Sequence, residues 1–248
     1  MLKGVLFDLG GTLQEYRHED WDAIVTGLNR DLYGYITSRG HGPKLPPLDA
    51  FLETVNRKVS EYRQESATSL RSHSMTDVLR SILRHHETED AGAHEYLTPW
   101  YKGLADITYV KPDVVPTLTG LKERGLKLGL LSNTSWPASV HDADLERFGL
   151  KDLLECRIYS CEAGWEKPAP QIFTAALECM GLQPSETAFV GDFLRYDVAG
   201  AQGVGMKGVW KRIEGRPEEV DDEKVVPDAV IAGIGELPEV LARLYPAG

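Results

Sequence analysis

Gly4 to Leu13 reads GVLFDLGGTL. A short apolar run closes on an acidic residue, Asp8, and is followed by two glycines and a threonine. Such a run bounded by a glycine turn reads as a buried strand. A carboxylate at the end of that strand suits two unrelated phosphate chemistries. One is a kinase-type phosphate loop, and the other uses Asp8 itself. The residues downstream of Leu13 decide between them.

After Leu13 the pattern becomes helical for nearly a hundred residues. Apolar residues recur at three- and four-residue spacing over Trp21 to Ile36, Leu48 to Tyr62, Met75 to His86 and Ala93 to Leu104. Phe51, Val55, Val59 and Tyr62 form one such stripe. From Lys111 onward helices and short apolar strands alternate: a helix over Asp113 to Arg124, the strand LKLGLLSN, a helix through Leu145, the strand CRIYS, the helix PAPQIFTAALECMG and the strand TAFVGD. A helix through Val198 and Ala201, the strand KGVW and a last strand and helix around Val230 and Leu241 complete the alternation. This rhythm predicts an α/β fold, a mostly parallel sheet covered on both faces. The core is split: residues 1–15 supply its first strand, 16–110 an inserted all-helical segment, and 111–248 the rest.

Composition narrows the partners. The net charge of −11 would repel a nucleic-acid backbone, and no basic stripe opposes it, so no nucleic-acid partner is expected. No apolar run approaches the roughly 18 residues of a membrane span, and the start MLKGVLFDLGG lacks the pattern of a signal peptide. A cytoplasmic protein with no membrane partner is expected. Cys156, Cys161 and Cys179, odd in number and without CxxC spacing, read as packing residues or inert thiols. The acidic run from Arg216 to Asp228 reads as a solvated connection, and GAQGVG, at the end of a helix rather than after a strand, as turn glycines. Oligomeric state is not legible.

In an open parallel sheet, ligands bind beyond the carboxyl ends of the strands. Asp8, Ser132 and Asp192 each close a strand there, and Lys167 sits in the loop AGWEKPAP. Two carboxylates, a hydroxyl and an ammonium converging on one crevice suit an anionic substrate held with a divalent cation. In phosphoryl transfer an enzyme mainly positions the group and neutralises charge on its oxygens. Carboxylates suit a hard cation such as Mg2+, and one of them can also attack phosphorus.

With these residues in place, the sequence resembles the haloacid dehalogenase superfamily of hydrolases, with a helical cap inserted after the first strand. FDLGGTL, LLSNTS, EKPAPQIF and VGDFLRYDVAGAQGVGM match its four motifs across the chain. The resemblance implies a Rossmann-like core under a mobile cap, with Asp8 as nucleophile, phosphate held by Thr12, Ser132, Asn133 and Lys167, and Lys167 also acting electrostatically in catalysis. It implies Mg2+ bound by Asp8, the Gly10 backbone carbonyl and Asp192, with Asp197 as the second acidic position. The expected function is a Mg2+-dependent phosphatase acting on a small phosphorylated metabolite. Cap residues Tyr62, His85, His86, Trp100 and Tyr101 are candidates for selectivity. His85 and His86 are adjacent and point about a hundred degrees apart on a helix, a poor chelating pair.

One position departs from the family pattern. Its phosphatases carry a second aspartate, the acid and base, two residues after the nucleophile, and here that residue is Gly10. Loss of general acid–base catalysis lowers rates by about a hundred- to ten-thousand-fold. Ordinary monoesters should therefore turn over weakly unless a neighbour such as Glu15 or His18 substitutes. Gly10 also keeps open a dehalogenase, a phosphonatase using Lys44, Lys58 or Lys102, and a non-catalytic phosphometabolite-binding protein. The kinase reading is disfavoured because helices rather than β-hairpins come after Thr12.

Overall fold

The computed structural model describes residues 1–17, 20–41, 45–86, 93–216 and 224–246. β1 (Gly4–Phe7) leads to a two-residue strand, β2 (Glu15–Tyr16), and then to four helices, α1 (Trp21–Ile36), α2 (Leu48–Ser69), α3 (Met75–His85) and α4 (Ala93–Ile107). The chain returns through β3 (Thr108–Tyr109) to α5 (Val114–Glu123), β4 (Lys127–Ser132), α6 (Ala138–Arg147), β5 (Cys156–Tyr159), α7 (Ser160–Ala163) and α8 (Pro170–Met180). β6 (Thr187–Gly191), a wide helical turn over 194–199, α9 (Gly200–Gly203), β7 (Lys207–Lys211), β8 (Ala229–Ile231) and α10 (Leu237–Leu244) complete it. His18 and Lys44, and most of the acidic run after Arg216, lie outside the described residues.

Six strands form a parallel sheet in the order β5-β4-β1-β6-β7-β8. Successive side chains of a strand point to opposite faces. Val5 and Phe7 accordingly pack with Leu128, Leu130 and Val190 against α5 and α10, while Leu6 packs with Leu131 and Phe189 against Ile172, Phe173 and Ala176 of α8. At roughly 25 cal/mol per Å2 of apolar surface removed from water, these two layers supply the main drive for folding the core. A third apolar cluster lies inside the inserted helices, where Leu32, Ile36, Phe51, Val55, Leu79 and Ile82 are fully buried. The sequence stripe on α2 continues into it through Val59 and Tyr62.

Local signals explain several ends. Asp20 caps α1 by accepting from the Ala23 N–H at 3.0 Å, Pro170 opens α8, and Gly181 closes it in the left-handed region at φ 63°. The periodicity stops α2 at Tyr62, whereas the helix runs on to Ser69; polar residues carry its last turns, and periodicity does not register them. The antiparallel pair β2–β3 has no signature in the sequence. It joins Glu15 to Tyr109 and Tyr16 to Thr108, tying together the outgoing and returning chains beneath the helices.

The cysteine expectation is corrected. Cys156 and Cys179 form a disulfide with Cα atoms 6.0 Å apart, within the range a bridge requires. Cys156 lies on the face of β5 that α8 covers, and α8 brings Cys179 over it. A separation of 23 residues carries no recognisable spacing, so only the packing of helix on sheet shows the pair. Cys161 is free, and burial raises its thiol pKa to about 12.

Candidate active site

The parallel register sets the site. β1 lies between β4 and β6, so Asp8, one residue beyond β1, falls between Ser132 at the end of β4 and Asp192 just past β6. The Asp8 N–H donates to the Val190 carbonyl at 2.9 Å, which holds the strand end down. Two glycines let the acidic groups close in. A Cβ at Gly11, whose φ is +82°, would sit 2.2 Å from Asp192 Oδ2, and one at Gly191 would sit 2.3 Å from Asp197 Cγ. Asp197 is delivered by the wide turn over 194–199, and its Oδ2 accepts the Phe193 N–H at 2.9 Å. Wide turns of this type are frequent at functional sites.

Lys167 is the hub. It is 3% exposed, and its Nζ donates to Asp8 Oδ1 and to Asp197 Oδ1, both at 2.7 Å. Asn133 fixes the lysine from behind: its Oδ1 accepts the Lys167 N–H at 2.7 Å and its Nδ2 donates to the Lys167 carbonyl at 3.0 Å. Ligand oxygens of Asp8, Asp192 and Asp197 all lie within 4.8 Å of one another. Among the described residues this is the group of three able to hold a metal, and His85 and His86 belong to no such group. Burial raises the pKa of Asp8, opposed by Lys167 and reinforced by Asp197 and Asp192. Asp192 is raised by burial and Asp197, against the Arg216 guanidinium that pairs with it. Lys167 is raised as well, because Asp197 and Asp8 outweigh its desolvation. Closely held carboxylate oxygens are hard donors, a set that fits Mg2+.

A cavity of about 1200 Å3 opens over the site. Asp8, Gly10, Ser132, Asn133, Lys167 and Asp197 line its sheet side, and Trp21, Asn29, Asn56, Arg63 and Trp100 line its helical side. Thr12 does not reach it. This buried hydroxyl points to Asp192 Oδ1 at 3.4 Å, the position of a support for Asp192 rather than of a substrate ligand. Of the selectivity candidates Tyr62 and Trp100 line the cavity, the latter with its indole N–H donating to Asn29 at 3.0 Å. Tyr101 is buried on Asp144 at 2.9 Å, and His85 and His86 lie elsewhere on the helices. Lys58 pairs with Glu61 and Lys102 is exposed, so Lys167 is the one lysine on the cavity among the described residues.

Several residues at the site carry no signal in the sequence. Lys211, buried on β7, donates to the Gly11 carbonyl at 2.7 Å and to Glu15 at 3.1 Å, bracing the turn after Asp8. Glu15 is thereby occupied: against a burial penalty acting the other way, hydrogen bonds from Lys111, Tyr109 and Lys211 keep its pKa below the usual value. It is no free acid or base. Arg216 covers Phe193 at 4.6 Å while pairing with Asp192. Tyr16, on β2, turns its ring into the cavity beside Gly10. Its phenol pKa is pushed up to about 12 by burial and by the charges of Asp8, Asp144 and Asp192.

A parallel sheet carrying acidic residues at its central strand ends, roofed by helices inserted after β1, is the architecture of the haloacid dehalogenase-like hydrolases. The model of that family matches residues 2–205, and the chain belongs to it. Glyceraldehyde 3-phosphate phosphatase of Methanopyrus kandleri is 35% identical over 173 residues, 67% of this chain and 65% of that protein. The chain thus aligns with slightly under two thirds of that relative's length. A 2-haloacid dehalogenase from Pseudomonas syringae superposes with a TM-score of 0.70 at 27% identity, over 99% of this chain and 100% of that one. A HAD phosphatase from Thermococcus onnurineus gives 0.63 at 27% identity, over 97% and 98%. Proteins named dehalogenases and phosphatases share this fold, so the site must discriminate between them.

Proposed function

We propose that this hydrolase is a Mg2+-dependent phosphatase for a small phosphorylated metabolite, with Asp8 as nucleophile. The observation that carries the reading is the buried group Asp8, Asp192 and Asp197, with Lys167 bridging Asp8 and Asp197 at 2.7 Å. A nucleophile attacking a carbon–halogen bond needs no such concentration of hard oxygen donors, whereas a dianionic phosphate needs cations around it. The phosphatase named as a relative supports the same choice.

In this reading Asp8, the Gly10 carbonyl and Asp192 hold Mg2+, with Asp197 as the second acidic residue. When bound, the ion supplies charge neutralisation at the phosphate oxygens. Lys167 holds Asp8 in line and offsets the charge of the entering group. Ser132 donates to a phosphate oxygen, and Asn133 acts by fixing Lys167. Asp8 attacks phosphorus to give an aspartyl phosphate, which water then opens. The helices over residues 16–110 act as the cap that selects the substrate and excludes water during the first step. We place the enzyme in the cytoplasm, where such metabolites are made. Pairing with a membrane or nucleic acid forms no part of the reading.

Gly10 favours a second reading, a 2-haloacid dehalogenase using Asp8 without metal, in line with the Pseudomonas structure. Acetyl phosphate, 4-nitrophenyl phosphate and 2-chloropropionate, each assayed with Mg2+ and with EDTA on the wild type and on Asp8→Asn, separate the two. Mg2+-dependent phosphate release that Asp8→Asn abolishes is the expected result. Metal-independent chloride release assigns the dehalogenase, and phosphate release that survives Asp8→Asn removes the nucleophile assignment.

A further inference from the structure

A Cβ built on Gly10 would lie 3.2 Å from the hydroxyl oxygen of Tyr16 and 3.6 Å from its Cε2. The space that a side chain at position 10 would enter is therefore taken by a phenol from a different segment of the chain. We propose that Tyr16 is the proton donor to the leaving group and the proton acceptor from water, serving from β2 the role that Gly10 leaves vacant. The role assigned to Tyr16 rests on the phosphatase reading.

Three observations converge on Tyr16. It lines the same cavity as Asp8, Ser132 and Lys167, and its hydroxyl lies against Gly10, which lines that cavity too. Its hydroxyl makes no hydrogen bond among the described residues, whereas Tyr101 donates to Asp144, Tyr109 to Glu15, Tyr159 to Asp142 and Tyr245 to the Thr187 carbonyl. A largely buried phenol ordinarily finds a partner, so one directed into a cavity without one is placed for a ligand. Its position is also fixed. β2 pairs Tyr16 with Thr108, the neighbouring Arg17 N–H donates to the Ile107 carbonyl at 2.8 Å, and the ring meets Trp21 edge-on at 5.4 Å. Gly10 and Tyr16 are complementary: any side chain at 10 would crowd the phenol, and glycine lets it approach.

The step balances. An Asp8 carboxylate oxygen bonds to phosphorus as the bond from phosphorus to the ester oxygen breaks. The electron pair leaves on that oxygen, which takes the proton of Tyr16. The resulting tyrosinate recovers a proton from the water that attacks the aspartyl phosphate, so inorganic phosphate departs and both Asp8 and Tyr16 are restored.

The test is the dependence of turnover on leaving group. Tyr16→Phe removes only the hydroxyl oxygen. With Mg2+ present, acetyl phosphate needs little help in leaving, 4-nitrophenyl phosphate slightly more, and glycerol 3-phosphate must be protonated. Tyr16→Phe is expected to lower kcat/KM, which reads the steps up to departure of the leaving group and not the hydrolysis common to all substrates, by about a hundredfold or more on glycerol 3-phosphate and by less than about fivefold on acetyl phosphate. Gly10→Asp added to Tyr16→Phe is expected to restore part of the glycerol phosphate rate, since the crowding oxygen is gone. An equal fall in kcat/KM on all three substrates would mean a merely structural role and overturn the proposal, as would no fall at all. In either case Asp8→Asn still abolishes turnover if the phosphatase reading stands. If the wild type turns over none of the three, that reading fails and the role of Tyr16 fails with it.

Discussion

Replacing Lys167 by methionine keeps the length and volume of the side chain and deletes its charge. In the wild type the ammonium sits 2.7 Å from Asp8 and 2.7 Å from Asp197, with Asp192 completing the acidic group and all four side chains buried. Removing one partner of a buried ion pair costs about 3–5 kcal/mol, because the remaining charge is left without compensation. A unit pair at about 4 Å and an effective dielectric of 20 is worth roughly 4 kcal/mol, in agreement. Two carboxylates lose their cation here, so the upper end of the range is expected. Urea denaturation in EDTA should show Lys167→Met less stable by about 3–5 kcal/mol. Added Mg2+ should return more stability to the variant than to the wild type, because the ion meets one more uncompensated negative charge. A metal concentration of about a hundred times Kd contributes roughly 2.7 kcal/mol through binding to the native state alone. Turnover of 4-nitrophenyl phosphate should fall by about a hundred- to a thousandfold even when Mg2+ restores stability, because the cation beside the attacking carboxylate is missing. A loss under about 1 kcal/mol in EDTA, together with an unchanged response to Mg2+, would refute the view of Lys167 as the counter-ion of the acidic group.

Two further outcomes are expected. Burial lowers the His141 pKa from 6.5 to about 4, its Nε2 meeting Thr134 Oγ1 at 2.8 Å and its ring stacking on Tyr159. The unfolded chain therefore binds more protons below pH 6.5, and the contribution of the neutral ring is complete above that value and lost as pH falls through 4. Between those pH values wild-type stability should drop more steeply than that of His141→Gln, by up to about 3 kcal/mol, as read from urea midpoints. The Cys156–Cys179 bond closes a 23-residue separation, for which the loop-entropy model gives about 3 kcal/mol. Dithiothreitol should lower wild-type stability by that order and leave Cys156→Ser/Cys179→Ser unchanged; equal sensitivity of the two proteins would count against the bond.

Much of the site lies open in the order of residues, for local reasons. Asp8, Ser132 and Asp192 come at the ends of apolar runs, and a parallel sheet brings the carboxyl ends of its strands to one edge whatever its strand order. That order is tertiary: β1 lies between β4 and β6, and no local pattern encodes which strands become neighbours. Asn133 shows the difference. Its place after β4 is legible, but its grip on both backbone groups of Lys167 depends on two loops 34 residues apart meeting. Thr12 sits in the turn that the motif specifies, yet its hydroxyl is turned under Asp192 and away from the cavity.

The sequence by itself determined the class of fold, the inserted helices and the acidic and basic groups gathered at the strand ends, because hydrophobic periodicity and turn residues are local properties that survive without knowledge of contacts. Only the tertiary structure decided what fills the space beside Gly10. A tyrosine in a two-residue strand has no periodicity to mark it. Its hydroxyl reaches the neighbourhood of Asp8 because Tyr16 pairs with Thr108, more than ninety residues later in the chain. Pairing over such a distance is settled by packing the helices onto the sheet, and packing is set by shape and burial rather than by any pattern along the chain.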